Sequence, residues 1–363
     1  QVNKGVYWAI DQIKVRSKKV ITSWYQEFLA GAEIVVNDVT IKKGSADDKV
    51  LINEKEVDLK VSLISDDNAE IAEDGLYFIG AGLNVTYKNS QNKNKVLIND
   101  SPTGEKPVVT CTNTITLNGT SLICKNVALK LNENATYRFL TINTNNAPYV
   151  AFDGCNLEVP STATQNAFCY ASTAVAINSF TLHKSKIKID KSTEYNIISV
   201  GKDNFVNFNS ISVENTIFYG NNASTFKLFG VNNGNTTNAG IGSLVLRNTT
   251  FLNMHYAGYG IVNGDISTMI VKNNIIYADN NNNNVTVFRK RGNSSASLQA
   301  TDGEVADNIG YIIGDFYLNL WQGDTPPLEN AEKIQKLDAS PFESLDKSTG
   351  TYVLKPEYQG YGA

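Results

Sequence analysis

Histidine, cysteine and long apolar segments are scarce in this chain, and each shortage excludes a class of protein. Only 2 histidines and 4 cysteines occur in 363 residues, and the cysteines lack the spacing of a metal site, so we expect no metal centre. No apolar run approaches the roughly 20 residues that cross a membrane, so we expect no membrane span. Neither a Gly-Asp-Ser-Gly nucleophile motif nor a His-Glu-x-x-His zinc motif is present, and proteolysis therefore has no support.

Charge is also sparse. Charged residues account for 19% of the chain, against the usual share of about 25%, and the net charge is -4 at pH 7. An acidic chain of this kind is not expected to bind nucleic acid. Asn, Ser and Thr provide much of the remaining polarity, and their side chains form hydrogen bonds with neutral hydroxyl groups. The composition therefore suits a hydroxyl-rich partner and not a nucleic acid.

What the chain does contain is a short pattern that occurs seven times. Each copy reads apolar, any residue, apolar, polar, then usually Asn, then apolar again, and the copies begin about 25 to 35 residues apart. Alternation with period two predicts strands, and Asn between two short strands predicts a corner in the left-handed backbone region. The pattern therefore predicts an all-β chain that is folded as a parallel β-helix. The copies begin at Leu122, Val150, Phe180, Ile211, Leu244, Met269 and Gly303.

The position of the repeat divides the chain into three predicted segments. Residues 34–322 form the β-helix, with irregular coils at 34–121 and regular coils at 122–322, and a strand before each repeat gives three strands per coil. Residues 323–363 are turn-rich and are expected to cover the C-terminal end of the helix. Residues 1–33 form an N-terminal cap or linker, for which an amphipathic helix is predicted and a strand remains possible. The apolar positions with near-helical spacing are Val6, Ile10, Ile13, Val20, Trp24 and Phe28.

Stacking the copies turns each position of the pattern into a column. One predicted core column contains Cys124, Phe152, Leu182, Val213, Leu246, Val271 and Val305. The other contains Leu129, Leu157, Ile187, Phe218, Phe251 and Ile276. A predicted Asn ladder at the corner contains Asn126, Asn215, Asn248 and Asn273, with Gly154, Lys184 and Asp307 in the same column. Next to it, His183 lies beside Glu214 in an outward charged column, which is interpreted as a solvated ladder, with acid–base chemistry as the alternative.

The cysteines are expected to be reduced. Cys124 falls on an inward position of its repeat and Cys169 on an inward position of the preceding strand, which fits small buried apolar residues. Cys111 and Cys155 have no assigned orientation, so a disulfide remains the alternative.

Aromatic and basic side chains provide the candidate carbohydrate contacts. Alternation on the first strand of each coil places Tyr170, Phe229, Tyr259 and Phe288 outside, and Tyr219, Tyr277 and Tyr311 share an outward column on the third strand. Exposed rings stack on sugars, although loops that cover these columns would bury them. The basic candidates near the same loops are Lys227, Arg289 and Arg291.

The repeat, the early coils and the C-terminal segment resemble the pectin-lyase-like superfamily of right-handed parallel β-helices. More narrowly, they resemble uncharacterised surface β-helix proteins of glycan-degrading gut bacteria. The most specific resemblance is in Ser340–Ala363, with a Pro-Phe, an Asp, a Gly-aromatic hairpin, a Lys-Pro and a final Gly-Ala. The resemblance implies a right-handed parallel β-helix from residue 34 onward. It leaves the activity open, because this fold carries lyases, hydrolases and proteins that are not enzymes.

The resemblance implies a monomeric extracellular or cell-surface protein that binds or processes polysaccharide. A lyase of this fold would need clustered carboxylates that hold Ca²⁺, and the first strands offer only Asp203 and Asp265. The paired Asp and Gly-His motifs of the hydrolases are absent. No catalytic residue is therefore predicted, and Ca²⁺ is expected only if the protein is a lyase. The alternative function is a structural or adhesive stalk.

Overall fold

The computed structural model is nearly all β, because 57% of the described residues lie in strands and 3% in helices. It describes residues 21–88, 93–133, 138–143, 148–163, 167–171, 175–190, 195–200, 205–220, 226–231, 238–252, 266–279, 284–288, 300–321 and 328–363. Within these ranges, no helix is long and apolar enough to span a membrane.

Two long parallel sheets contain most of the described strand residues, and neighbouring strands in each sheet come from successive coils. The ten-strand sheet contains Lys60–Ile64, Gly75–Ile79, Lys95–Asn99, Leu122–Lys125, Tyr149–Asp153, Val175–His183, Phe205–Glu214, Asn238–Arg247, Ile266–Lys272 and Ala300–Ala306. The eleven-strand sheet contains Glu70–Ile71, Asn84–Tyr87, Val108–Cys111, Ala128–Leu131, Asn156–Val159, Lys186–Ile189, Ile217–Tyr219, Thr250–Leu252, Ile275–Ala278, Ile309–Ile312 and Gln335–Lys336. The prediction of parallel sheets is confirmed.

A third set of parallel strands lies between the other two along the chain. The five-strand sheet contains Ile115–Leu117, Leu140–Ile142, Ala167–Ala171, Tyr195–Val200 and Phe226–Val231. Val285–Phe288 pairs in parallel with Leu318–Trp321 in a separate two-strand sheet. The three sets together are compatible with a parallel β-helix.

Both predicted core columns are confirmed. Their members are neighbours in register from strand to strand, and every one of them is buried. Phe218 and Phe251 stack with ring centroids 4.8 Å apart and planes 2° apart. All four cysteines are buried and free, so the expectation of reduced thiols is confirmed, including for Cys111 and Cys155. These columns form a continuous interior between the sheets.

The left-handed corner is also confirmed, because all seven corner residues have φ between 48° and 65°. The Asn248 Nδ2 donates to Asn215 Oδ1 at 3.3 Å, which is one link of the predicted ladder. A more tightly bonded ladder occupies the next column, inside the turn. There, Asn274 is fully buried and accepts from the backbone N–H of Thr249 at 3.0 Å, while Asn274 Nδ2 donates to Asn308 Oδ1 at 2.8 Å.

The N-terminal sheet differs from the expected irregular coils. The sequence predicts coils from residue 34, whereas Ile34–Val36, Val39–Lys43, Lys49–Ile52 and Lys55–Asp58 pair consecutively in antiparallel. Parallel pairing begins at Lys60. The division of the chain into three domains is not tested by this difference and stays a prediction.

The N-terminal sheet lies on the outer face of the ten-strand sheet. It packs there together with the predicted helix, which is present at Trp24–Leu29, is capped by Ser23 and buries Phe28. Ile123 and Ala151 point into this contact, while the alternate residues of their strands point into the interior. The other four predicted helical positions, Val6, Ile10, Ile13 and Val20, lie outside the described residues.

The C-terminal segment lies on the outer face of the eleven-strand sheet. Its hairpin, Phe342–Asp346 with Thr351–Leu354, is followed by a 3₁₀ turn at Pro356–Tyr358. The hairpin packs on a row of side chains from the sheet, including Leu252 and Ile275. A Cβ at Gly350 would lie 2.8 Å from the Tyr219 ring, so this contact requires a glycine.

Candidate functional site

A groove of about 460 Å³ opens between the N-terminal sheet and the ten-strand sheet, and we name it the Tyr149 groove. The wall from the N-terminal sheet consists of Ile52, Lys55, Glu56, Val57 and Asp58. The wall from the parallel coils consists of Asn94, Gly119, Ser121, Pro148, Tyr149 and Asn178. The groove therefore combines one aromatic ring with amide, hydroxyl, carboxylate and ammonium groups.

The coil wall is built where successive strands of the ten-strand sheet begin. Lys95, Leu122 and Val150 are neighbours in register, and Asn94, Ser121 and Tyr149 directly precede them. Parallel strands lie about 4.8 Å apart. The lining side chains of successive coils therefore follow one another at about this spacing. The polar lining thus follows the stacking direction of the coils.

Side-chain oxygens on this wall are used to hold the next coil. Asn94 Oδ1 accepts from the backbone N–H of Ser121 at 2.7 Å, and Ser121 Oγ accepts from the backbone N–H of Tyr149 at 3.0 Å. Asp74 Oδ1 accepts from the Asn94 N–H at 2.6 Å. These bonds fix the amide orientation of Asn94, because its oxygen must face the Ser121 N–H.

The carboxylates of the opposite wall are held by their own sheet. Ser45 donates to Glu56 Oε2 from its hydroxyl at 2.7 Å and from its N–H at 3.1 Å, and these bonds lower the pKa of Glu56. Asp58 forms an ion pair with Lys49. The hydrogen bond that Lys49 Nζ donates to Asp58 Oδ1 raises the pKa of Lys49, so this ammonium stays charged at neutral pH.

Of the predicted carbohydrate contacts, Tyr170 has the expected outward orientation. Its register neighbours are Thr141 and Ser199, its side chain is half-buried, and the Arg138 guanidinium lies 3.9 Å from its ring centroid. The ring is therefore covered in part by a cation from a neighbouring coil.

The outward orientation predicted for Phe288 is wrong. Phe288 is 1% exposed and belongs to the interior cluster, because all four residues of Val285–Phe288 are buried and alternation does not separate two faces there. The backbone of Phe229 is in register with Ile198 and, one strand further, with Cys169, and both of these residues are buried.

Of the remaining predicted contacts, only Lys227 lies within the described residues. The backbone of Lys227 pairs with Asn196 in the five-strand sheet. Tyr259, Arg289 and Arg291 lie outside the described residues, as do Asp203 and Asp265.

The third-strand tyrosines are covered, as the alternative interpretation of that column predicts. Tyr277 is 7% exposed and contacts Phe342 of the hairpin, with ring centroids 5.1 Å apart. Tyr219 and Tyr311 pack against the same cluster. The cover is the C-terminal segment and not a loop between coils.

His183 and Glu214 form a half-buried polar network. His183 Nε2 lies 2.7 Å from Ser212 Oγ, which donates to Glu214 Oε1 at 2.8 Å, and Arg247 pairs with the same carboxylate. Burial lowers the pKa of His183. Burial raises the pKa of Glu214, but hydrogen bonds from Arg247 and Ser212 outweigh it and leave that pKa lowered. Glu214 Oε1 approaches His183 at Nε2, 3.5 Å away, which is the same nitrogen that contacts Ser212. In a hydrolase triad the carboxylate holds the other imidazole nitrogen, so this network lacks the relay geometry.

A smaller groove of about 240 Å³ lies on the eleven-strand sheet beside Tyr219. Lys188 lines it and pairs with Asp190 at 2.8 Å and with Glu158 at 3.4 Å. The lining residues Lys188 and Glu158 are therefore already paired with each other. Across the described ranges, no three His, Cys, Asp or Glu side chains converge as metal ligands.

No family model, no curated protein and no solved structure matches this chain. The candidate site therefore rests on the chain's own residues. Sequence reasoning missed the Tyr149 groove because one wall belongs to a sheet outside the repeat. The available signal was the polar residue just before successive strands, at Asn94 and Ser121.

Proposed function

We propose that this protein is a secreted or cell-surface, right-handed parallel β-helix with three strands per coil, and that it binds polysaccharide as a monomer. The observation that carries the proposal is the Tyr149 groove, in which an aromatic side chain lies among amide, hydroxyl and carboxylate groups. Aromatic rings pack on the apolar faces of sugars, while convergent polar groups bind the hydroxyls. The resemblance to surface β-helix proteins of glycan-degrading bacteria supports the same class of ligand.

The arrangement of carboxylates favours binding over catalysis. Glycoside hydrolysis requires two carboxyl groups that flank the scissile bond. In the Tyr149 groove, Glu56 and Asp58 lie on the same wall, and the lining residues of the other wall include no carboxylate. Glu56 and Asp58 also hold Ser45 and Lys49 in place. The proposed function is therefore recognition without a chemical step.

The test is glycan-array screening followed by titration calorimetry of the parent protein and Tyr149→Leu. The substitution removes the ring but keeps an apolar side chain against the N-terminal sheet, where Tyr149 packs. We expect at least a tenfold loss of affinity, about 1.4 kcal/mol. Tyr317→Leu is the matched control, because Tyr317 is 48% exposed and does not line the groove.

Two outcomes would reject the proposal. One is the absence of binding to any plant, microbial or host polysaccharide, which would favour the structural or adhesive alternative. The other is an equal loss of affinity in both tyrosine variants, which would place the binding site elsewhere.

A further inference from the structure

The coil wall of the Tyr149 groove offers hydrogen-bond donors, and the wall from the N-terminal sheet carries two carboxylate acceptors beside Lys55. Asn94 Oδ1 is occupied by the Ser121 N–H, and Asn94 Nδ2 donates to no described residue. Ser121 Oγ already accepts from the Tyr149 N–H, so its hydroxyl proton is available to a ligand. Across the groove, the carboxylates of Glu56 and Asp58 accept hydrogen bonds and do not donate them.

Apolar groups lie between these two polar walls. Ile52 and Val57 line the groove from the N-terminal sheet, and Pro148 lines it from the coil. Ile52 and Pro148 are buried and Val57 is half-buried, so Val57 offers most of the accessible apolar surface. A ligand group that fits all three features has a carbonyl oxygen, an N–H and a methyl group.

We propose that the Tyr149 groove selects sugars that carry an N-acetyl group. This inference rests on the proposed polysaccharide-binding function and names its ligand class. The acetamido carbonyl accepts from Asn94 Nδ2 or the Ser121 hydroxyl, and its N–H donates to Glu56 or Asp58. The methyl group packs against the surface of Ile52, Val57 and Pro148, and the sugar ring lies against Tyr149.

The charges of the groove disfavour the two obvious competitors. Asp58 is already paired with Lys49, and an acidic sugar in the place of the acetamido group brings its carboxylate against the like charge of Glu56. A deacetylated amino sugar brings an ammonium, which cannot accept from Asn94 or Ser121. An unmodified hexose lacks the methyl group and leaves the apolar surface uncovered.

The experiment compares four oligosaccharides of equal length and linkage by titration calorimetry. They consist of N-acetylglucosamine, glucosamine, glucose and glucuronic acid. We expect the N-acetylated oligomer to bind at least tenfold more tightly than each of the others. Saturation-transfer NMR supplies a second measurement, in which the acetyl methyl protons of the bound oligomer are expected to give the strongest signal.

Asn94→Asp is the matched variant, because Asp keeps an oxygen for the Ser121 N–H and removes both Nδ2 donors. We expect this variant to retain the parent melting temperature and to lose at least tenfold in affinity for the N-acetylated oligomer. The control is Asn330→Asp, which adds the same charge at an exposed position outside the groove. That control is expected to bind like the parent.

Equal affinity for the glucose and N-acetylglucosamine oligomers would overturn the inference and leave the proposed function standing. The same conclusion follows if Asn94→Asp still binds the N-acetylglucosamine oligomer as tightly, relative to the other oligomers, as the parent does. It also follows if the acetyl methyl protons give no stronger a saturation-transfer signal than the ring protons. Absence of binding by all four oligomers would overturn the inference; if the parent also binds no glycan in the array, the proposed function falls with it.

Discussion

At the scale of single residues, Lys95 is a charged side chain in the interior of the fold. It is 0% exposed, its Nζ lies 3.9 Å from the Tyr87 ring centroid, and it donates to the Lys88 carbonyl at 3.2 Å. Burial lowers the pKa of Lys95 to about 8, and the carboxylates of Asp74 and Glu73 only partly oppose this effect. Its ammonium is therefore costly to keep in the folded state.

We expect Lys95→Met to raise the free energy of unfolding by about 1–3 kcal/mol at pH 7. The pKa in the folded state lies below the ordinary value of 10.5, so the cost of burial is fully present below pH 8. It decreases as the pH rises from 8 toward 10.5, because the folded protein loses the proton before the unfolded chain does. The gain should therefore shrink over this interval in urea titrations at several pH values.

The control for that experiment is Lys60→Met, since Lys60 is exposed on the first strand of the same sheet. If Lys95→Met raised the free energy of unfolding by the same amount at every pH between 7 and 10, the gain in stability could not be assigned to removal of the buried ammonium.

The residues that sequence reasoning placed correctly occupy columns whose register is fixed by stacking. Cys124 and Phe152 are such a pair, because a one-residue shift would turn the whole strand inside out. Which residues of the first strands point inward and which point outward was harder to predict. Tyr170 and Phe229 were assigned to one column, but they differ by one position in register. Short strands with apolar residues on both faces carry too little alternation to set the phase.

At the scale of elements, the internal Asn ladder joins the last regular coils. Asn274 donates to the Leu246 carbonyl at 2.8 Å, and Asn308 donates to the Val271 carbonyl at 2.8 Å. Both side chains are buried, with Asn308 1% exposed. Because each amide satisfies backbone groups of the neighbouring coil, the ladder holds the corners in register.

We expect Asn274→Ala to lower the free energy of unfolding by about 2–4 kcal/mol, because it leaves the Thr249 N–H and the Leu246 carbonyl buried without their side-chain partner. Asn273→Gly, at the adjacent left-handed corner with φ of 56°, should change stability by less than about 1 kcal/mol. Chemical denaturation of both variants gives the comparison. Similar losses of unfolding free energy in the two variants would contradict the larger contribution assigned to the buried Asn274 side chain.

The N-terminal sheet was not predictable from the repeat, but its turns left a local signal. Asn53 and Glu54 have φ of 47° and 63°, as a two-residue type I′ hairpin turn requires. Alternating apolar residues flank this turn, and Val50 and Ile52 are buried. The packing of the sheet on the parallel coils, which creates the Tyr149 groove, is a tertiary contact that no local pattern encodes.

At the scale of the whole molecule, the two terminal segments cover outer faces of the long sheets. The N-terminal sheet reaches as far as Thr181, whose hydroxyl accepts from Asn37 Nδ2 at 2.9 Å. The C-terminal segment is fastened at its end, where the Gly362 N–H donates to the Asn273 carbonyl at 2.7 Å. Lys347 adds an ion pair with Asp279 at 2.7 Å. The sequence predicts a C-terminal cover, whereas its position on a side face follows from the outward apolar row that it buries.

We expect removal of residues 340–363 to lower the free energy of unfolding by at least about 3 kcal/mol, since several apolar side chains lose their cover. They include Leu252 and Ile275, both 0% exposed in the intact chain. The shortened protein should bind a hydrophobic dye and self-associate in analytical ultracentrifugation. Tyr352→Phe, which removes only the hydroxyl beside Thr250, should stay monomeric. An unchanged melting temperature after truncation would contradict this role.

The most direct measurement of the central claim is a crystal structure of the protein with a bound N-acetylglucosamine oligosaccharide. Binding in the Tyr149 groove predicts a sugar ring against Tyr149 and a hydrogen bond from Asn94 Nδ2 to the ligand. The result that would contradict the account is a sugar bound elsewhere, such as on the five-strand sheet beside Tyr170 and Arg138, with the Tyr149 groove empty.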